Sequence, residues 1–327
     1  MYYIIVNPAS KSGRGAKIWS ELQPVLDKKE IAYKVFFSKG VEHITKLVRD
    51  LSTSLLKAES DFILKLIVLG GDGTLNETLQ GISDFNRVQI GYIPTGSSND
   101  MARDLGLPRN PCEILERILS CTEPVFMDLG CLTYDQTAGR SDGQPDGQPA
   151  LKRYFSVSTG IGFDAAVCQE ALVSRFKNIL NKLGLGKLTY LSIALKQLLL
   201  ARKVACTITL DDDRQINLPK FLFVASMIHQ YEGGGFKFCP GADFRDGLID
   251  ICAVGNIPKW LILIALPTAF SGEHYRFEGI DRYSASKIHL ETSAPLWVHT
   301  DGEVTRKSSS ITITCEQKKL KSEAKRS

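Results

Sequence analysis

Phe62-Ile63-Leu64-Lys65-Leu66-Ile67-Val68-Leu69 runs into Gly70-Gly71-Asp72-Gly73-Thr74-Leu75-Asn76-Glu77, and the reading of this stretch decides the fold. The apolar run suits a strand buried on both faces of a sheet. The glycines after it let the backbone take positive φ and come close to a ligand. Thr74 and Glu77 have the T-x-x-E spacing of a capping box, so a helix is expected over Thr74–Ile82. A helix that starts behind a glycine-rich turn is an anion site, and phosphate is the expected guest. The stretch is not a Walker A loop, since no Gly-Lys-Ser/Thr follows, and it is not G-x-G-x-x-G. Asp72, set among three glycines, separates it from a plain strand–helix turn.

Outward from this turn, strand-like and helix-like patterns alternate. Tyr2–Val6 reads as a strand, Ala16–Lys28 as a helix, Ile31–Phe37 as a strand and Val41–Leu56 as a helix. After the Gly-rich turn come a strand at Val88–Ile93, a helix from Ser98 to Leu105 and a shorter one over Cys112–Cys121. Such alternation implies a doubly wound parallel sheet, with ligands beyond the C-terminal ends of its strands. Two further loops fall at equivalent strand ends: Asn7-Pro8-Ala9-Ser10-Lys11-Ser12-Gly13 and Pro94-Thr95-Gly96-Ser97-Ser98-Asn99-Asp100. Each alone is as much a turn as a site. Three on one sheet edge outline a nucleotide-phosphate cleft.

Beyond Thr122 the pattern becomes strand-rich. Val125–Tyr134, Arg153–Ser158, Val204–Leu210, Gln215–Leu218, Phe221–Ile228, Leu248–Val254, Lys287–Thr292, Leu296–Thr300 and Ser310–Cys315 read as strands, with a tight turn at Asp211-Asp212-Asp213. Helices are expected near Ala165–Phe176, Leu188–Arg202 and Lys259–Phe270. The fold class is therefore α/β, with an N-terminal doubly wound domain over 1–123 and a C-terminal, mostly antiparallel β-rich domain over 124–327, whose last strand is left the option of returning to the first domain. The tandem Asp142-Gly143-Gln144-Pro145 and Asp146-Gly147-Gln148-Pro149 reads as an exposed loop with no function attached.

Composition agrees with two domains: 327 residues, 43% hydrophobic and 23% charged. The eight cysteines show no C-x-x-C pair and no zinc-finger spacing, so reduced thiols in a cytosolic protein are expected. Met1–Pro8 has neither a basic n-region nor a cleavage site, and no apolar run reaches the ~20 residues of a spanning helix. A formal charge of +4 is too small to suggest a nucleic-acid partner. Residues 318–327 hold five basic side chains and one acidic, a surplus equal to that of the whole chain. They read as a solvated tail able to add attraction to an anionic membrane. The histidines suggest no constellation, and His229 reads as structural.

The Gly70–Glu77 stretch, with the Asn7-Pro8 loop before it and Pro94–Asp100 after it, resembles the diacylglycerol kinase catalytic-domain family. That family includes bacterial soluble diacylglycerol and other lipid kinases and the sphingosine kinases; NAD kinases and phosphofructokinases are more distant relatives. Gly160-Ile161-Gly162-Phe163-Asp164 looks like its first motif in the second domain, Asp243–Asp250 like its metal-associated turn, and Asp301-Gly302-Glu303 like its catalytic loop. The resemblance covers nearly the whole chain and implies ATP-dependent phosphorylation of a lipid hydroxyl. It implies nucleotide contacts from Asn7, Pro8, Ala9, Ser10 and Lys11, from Ser38 where relatives often carry Thr, from Gly70, Gly71, Asp72, Gly73, Thr74, Leu75, Asn76 and Glu77, and from Ser97. It makes Glu303 the general base and gives Asp72 a catalytic role on Mg²⁺-ATP or on the acceptor. It places a structural Mg²⁺ at Asp243, Asp246 and the Leu248 carbonyl, although a turn whose carboxylates bond their own backbone fits those residues as well. The chain departs from the family at Gly96-Ser97-Ser98-Asn99-Asp100, where relatives often have Gly-Thr-Gly-Asn-Asp. Diacylglycerol is the default substrate; a sphingoid base, phosphatidylglycerol, a polyprenol, NAD, or a non-catalytic sensor stay open. The implied setting is cytoplasmic and peripheral at the inner membrane surface, with lipid as partner and homodimerisation undecided.

Overall fold

The computed structural model describes residues 1–58, 61–135, 151–173 and 186–323. The first region runs β1 (Tyr2–Val6), α1 (Ser10–Lys28), β2 (Tyr33–Phe37), α2 (His43–Ala58), β3 (Leu64–Gly70), α3 (Asp72–Gly81), β4 (Val88–Pro94), α4 (Asp100–Asp104) and α5 (Pro111–Leu119). The strands lie in the order β4-β3-β1-β2, all parallel, with Val68 opposite Ile5 on one side and Tyr92 on the other. Side chains alternate across β3 as a strand requires. Ile67 and Leu69 pack with Ile18, Trp19 and Leu22 of α1 and with Ile114 and Ile118 of α5. Leu66 and Val68 pack with Val48 of α2 and with Leu75 and Leu79 of α3. Helices cover both faces, and each fully buried aliphatic side chain contributes about 1.5–3 kcal/mol.

The second region is antiparallel. It contains β5 (Val125–Tyr134), β6 (Lys152–Phe155), β7 (Ser158–Gly162), α6 (Phe163–Val173), α7 (Gly186–Leu200), β8 (Val204–Leu210), β9 (Arg214–Phe221), β10 (Phe223–Met227), β11 (Ile249–Val254), α8 (Lys259–Thr268), β12 (Ile280–Ala285), β13 (Lys287–Thr300) and β14 (Glu303–Ser322). β14 pairs antiparallel with β13 and β5, and its far end meets β4 in parallel, Ser322 opposite Ile90. The Glu323 amide donates to the Ile90 carbonyl at 3.0 Å. All 14 described strands thus join in one sheet.

Several expectations change. The segment from 318 is not a solvated tail: it continues β14, and Leu320, Ser322 and Glu323 are buried. Lysines at 318, 319 and 321 hid a strand whose inward positions there, Leu320 and Ser322, are apolar or small. Residues 324–327 lie outside the described residues, as do the Asp142–Pro149 repeat and the end of the helix expected to reach Phe176. Lys287–Thr292 and Leu296–Thr300 form one strand, whose register shifts between Glu291 and Leu296, around Pro295. β12 was not foreseen, because its central positions are polar and exposed on a sheet edge. Regular helix in α1 starts only after Lys11, Ser12 and Gly13, which are left-handed at φ 43°, 58° and 95°. All eight cysteines are free thiols. Among the described residues no helix is long and apolar enough to cross a membrane, which says nothing of spanning by strands.

Candidate active site

The three loops converge. The Asn7 amide nitrogen donates to Thr74 Oγ1 at 2.9 Å, and Ser10 and Thr95 share a hydroxyl–hydroxyl bond of 2.6 Å. The Thr95 amide donates to the Gly70 carbonyl at 2.7 Å. Gly71 and Gly96 lie backbone on backbone: a Cβ on Gly96 would come within 2.6 Å of the Gly71 Cα, so glycine is required there. The expected capping box does not form. Gly71 is the N-cap of α3 and makes no side-chain cap bond, which puts Thr74 inside the first turn, bonded to Asn7. Glu77 turns away from the cleft, its Oε2 accepting the Ile44 amide of α2 at 3.2 Å. Leu75 is in the core. The first turn of α3 therefore has no side-chain cap from Gly71, and its amides suit the oxygens of a polyphosphate.

Asp72 opens α3. Its Oδ2 accepts the Asn99 amide at 2.7 Å. Burial, with the charges of Asp100 and Asp301 nearby, pushes its pKa up to about 7. Asp100 is buried, accepts the Gly234 amide at 3.1 Å, and is itself raised by burial.

Facing this turn is the hairpin between β13 and β14. Asp301 and Gly302 both have positive φ, 49° and 83°, as a two-residue type I′ turn demands. The Asp301 carboxylate is wholly spent on building it: Oδ1 accepts the amides of Val157 and Ser158 at 2.8 and 3.0 Å, and Oδ2 accepts the Ser156 amide at 3.0 Å and the Asn76 side-chain amide at 2.9 Å. Asn76, buried in α3, thereby ties the two regions together. The next residue, Glu303, lies against Gly73: a Cβ there would be 2.6 Å from Glu303 Oε1. Asp301-Gly302 is the hairpin turn, and that turn sets the Glu303 carboxylate against the first turn of α3.

One cluster escaped the sequence reading, which saw no histidine constellation. His299 Nε2 stands 3.2 Å from Asp164 Oδ2 and 3.3 Å from Glu232 Oε1. Gly160 lies beneath, where a Cβ would meet Asp164 Oδ2 at 1.8 Å. The Gly302 amide donates to His299 Nδ1 at 3.1 Å, so His299 also holds the β13–β14 hairpin. Burial, helped by the Asp164 charge, outweighs His299 and pushes Glu232 up to about 7. At His299 burial disfavours the charged ring, but the hydrogen bond to Asp164 and the charges of Glu232, Asp164 and Asp301 outweigh it and raise the pKa to about 9; in the neutral ring the Gly302 amide at Nδ1 leaves the proton on Nε2. The three potential ligand atoms lie within 4.8 Å of one another, but a cation at Nε2 would have to displace that proton. Only Asp164, inside Gly160–Asp164, had a trace in the sequence. His229, by contrast, is the structural residue expected, buried and 2.8 Å from Asp104.

The remaining expected contacts are scattered. Ser38 follows β2, its amide donating to the Val6 carbonyl and its hydroxyl to the Gly40 carbonyl at 3.3 Å. Pro8 and Ala9 carry the chain into α1; Lys11 and Ser97 are exposed at loop crests. Asp243, Asp246 and Leu248 lie on one turn before β11. Asp243 Oδ1 pairs with Arg245 at 3.1 Å, Asp246 Oδ1 accepts the Leu248 amide at 2.9 Å, and the Gly247 amide goes to Asp128 Oδ2 at 2.7 Å. Asp246 thus bonds its own backbone while Asp243 pairs with a side chain, and a cation held by Asp243 would first have to displace Arg245.

Residues 1–130 match the family model described as diacylglycerol kinase catalytic domain, and residues 156–321 that of the YegS C-terminal NAD kinase beta sandwich-like domain. The chain is 28% identical over 308 residues to the diacylglycerol kinase of Bacillus subtilis, covering 92% of this chain and 88% of that one. It is 28% identical over 240 residues to the diacylglycerol kinase of Mycobacterium tuberculosis, covering 73% and 70%. Among solved structures it shares its fold with a diacylglycerol kinase from Bacillus anthracis (TM-score 0.64, 19% identity, 98% and 95% covered). Yeast NADH kinase complexed with NADH is similar at a TM-score of 0.54 and 10% identity, with 98% and 82% covered.

Proposed function

From the premise that the chain belongs to the diacylglycerol kinase catalytic-domain family, a kinase family, we propose that it is an ATP-dependent lipid kinase that converts diacylglycerol to phosphatidic acid. The observation that carries this reading is Glu303 held against Gly73 at the uncapped first turn of α3. ATP, when bound, supplies the phosphoryl group, with Mg²⁺ as its counterion. The amides behind Gly71, with Asn7, Ser10 and Thr95 fixing the loops around them, neutralise phosphate charge as the transfer develops. Glu303 would take the proton of the lipid hydroxyl as that oxygen bonds the γ-phosphorus, the bond from that phosphorus to the bridging oxygen breaks and ADP leaves. Asp301 and His299 hold the hairpin, so the base is presented without a loop having to order itself. The substrate's lipid nature rests on the family and on the names of the relatives. The charge and helix content fit access from water to a membrane surface.

A second assignment of roles has one observation behind it. Asp72, near pKa 7, is poised to accept a proton at neutral pH, which makes it an alternative base with Glu303 orienting the acceptor.

The test is incubation with γ-labelled ATP and a total lipid extract, the labelled product being identified by mass. Labelled phosphatidic acid is expected; label in NAD alone, or in no product, sinks the reading. Glu303→Gln should lower transfer by about 10²-fold or more while nucleotide binding stays near wild type. If that variant keeps the wild-type rate and Asp72→Asn does not, the base is Asp72.

A further inference from the structure

α8 is apolar on every side after Lys259, yet the described residues cover only one stripe of it. Ile262 and Ala265 are buried against a cluster that includes Leu198 of α7 and Ile257. Trp260, Leu263 and Ile264 face the other way and are 64%, 45% and 52% exposed, and Phe270 just beyond is 56% exposed. The end of α7 adds Leu199 and Leu200 at 67% and 63%. Lys259 Nζ donates to the Leu199 carbonyl at 2.8 Å, which ties the two helix ends side by side. A lone exposed leucine needs no explanation; six large apolar side chains on two tied helix ends, a tryptophan among them, do.

Three features say what covers this face. The first is charge: Lys203 donates to the Ile257 carbonyl and Lys259 to the Leu199 carbonyl, which sets both ammonium groups at the edge of the face, with Lys220 near enough to Lys203 to repel it. Such a cluster gains by meeting anionic headgroups. The second is form. A helix of ten residues extends ~15 Å, half a bilayer core, so it suits the interface plane, where tryptophan is favoured. The third is continuity with the site. Phe270 stacks on Phe236 at 4.2 Å, and Phe236 on Phe238 at 5.7 Å. The Phe236 backbone pairs with Glu232, whose carboxylate lies on His299 beside the β13–β14 hairpin. An aromatic row thus leads inward from the open face to the strand bridge that carries Glu232.

We propose that the face formed by α8, Phe270 and the end of α7 docks this chain onto an anionic phospholipid bilayer, in the orientation that brings the aromatic row and the cleft behind it to the lipid. The proposal rests on the lipid-kinase reading for its purpose, and its test is read without ATP so that the two can fail separately.

The full chain is sedimented with phosphatidylcholine vesicles containing about one-third phosphatidylglycerol, and with phosphatidylcholine alone. Wild type is expected to bind the anionic vesicles more strongly. Leu263→Glu/Ile264→Glu should reduce the bound fraction about tenfold or more with an unchanged Tm, since both side chains are exposed. Should that variant fold poorly, quenching of wild-type fluorescence by brominated lipid decides: it should be lost in Trp260→Phe. Wild type that ignores anionic vesicles, or a folded double variant that binds like wild type, overturns the proposal. So does a wild-type dimer that the double variant dissolves without changing vesicle binding, because the face would then be an interface between copies. Docking without phosphorylation of any lipid overturns the proposed function and leaves the docking face standing.

Discussion

Asp72 is a single carboxyl group with an expected signature in pH. An aspartate in an unfolded chain ionises near 3.9, whereas in the cleft its pKa is about 7. The folded state therefore holds a proton that the unfolded state has lost. That contributes stability which is complete below about pH 4 and is lost as pH rises through about 7. Glu232 acts in the same direction. Asp72→Asn should raise Tm at pH 8 by a few degrees, with the two proteins converging near pH 4, while transfer falls. A lower Tm at pH 8 for the variant would mean that the ionised carboxylate stabilises the fold. Residues such as Asp72 were legible because the chemistry lies in adjacent positions. Glu232 and His299 were not: 135 residues separate His299 from Asp164, and only the fold brings them to 3.2 Å.

At the scale of the element, α3 shows how a correct motif misleads. Thr74-x-x-Glu77 has capping-box spacing, but a helix starting at Asp72 puts both residues inside it. Thr74 then bonds Asn7 across the cleft, and Glu77 serves the N-terminus of a different helix, α2. Replacing Glu77 by Ala should cost about 1 kcal/mol, read as a lower urea midpoint, while Glu77→Gln, which keeps an acceptor, should lie close to wild type. Equal losses in the two variants would show that charge rather than the hydrogen bond matters. Strands with unbroken apolar runs, such as β3, were readable from composition alone. β12 and the last third of β14 were not, because polar outward residues diluted their inward pattern.

Across the whole molecule, the basic segment changes its meaning. Lys318, Lys319 and Lys321 belong to a strand that closes the sheet between the two regions, with the Lys318 amide on Asp128 at 2.8 Å and Lys65 at 3.7 Å from the buried Glu323. Deleting residues 318–327 should destabilise the protein by at least ~3 kcal/mol, since it removes the buried Leu320 and uncovers the edge of β4 that faces away from β3. An unchanged Tm on truncation would show that the segment is dispensable.

The meeting of Ile90 with Glu323 also sets a timetable. β4 leaves the ribosome early, and the strand end that covers its edge is among the last described residues to follow. At roughly 5–20 residues per second, an apolar strand edge waits tens of seconds for its partner. During synthesis the nascent chain therefore presents an open, aggregation-prone template, and its yield in a cell should depend on chaperones that shield that edge until translation has passed residue 323.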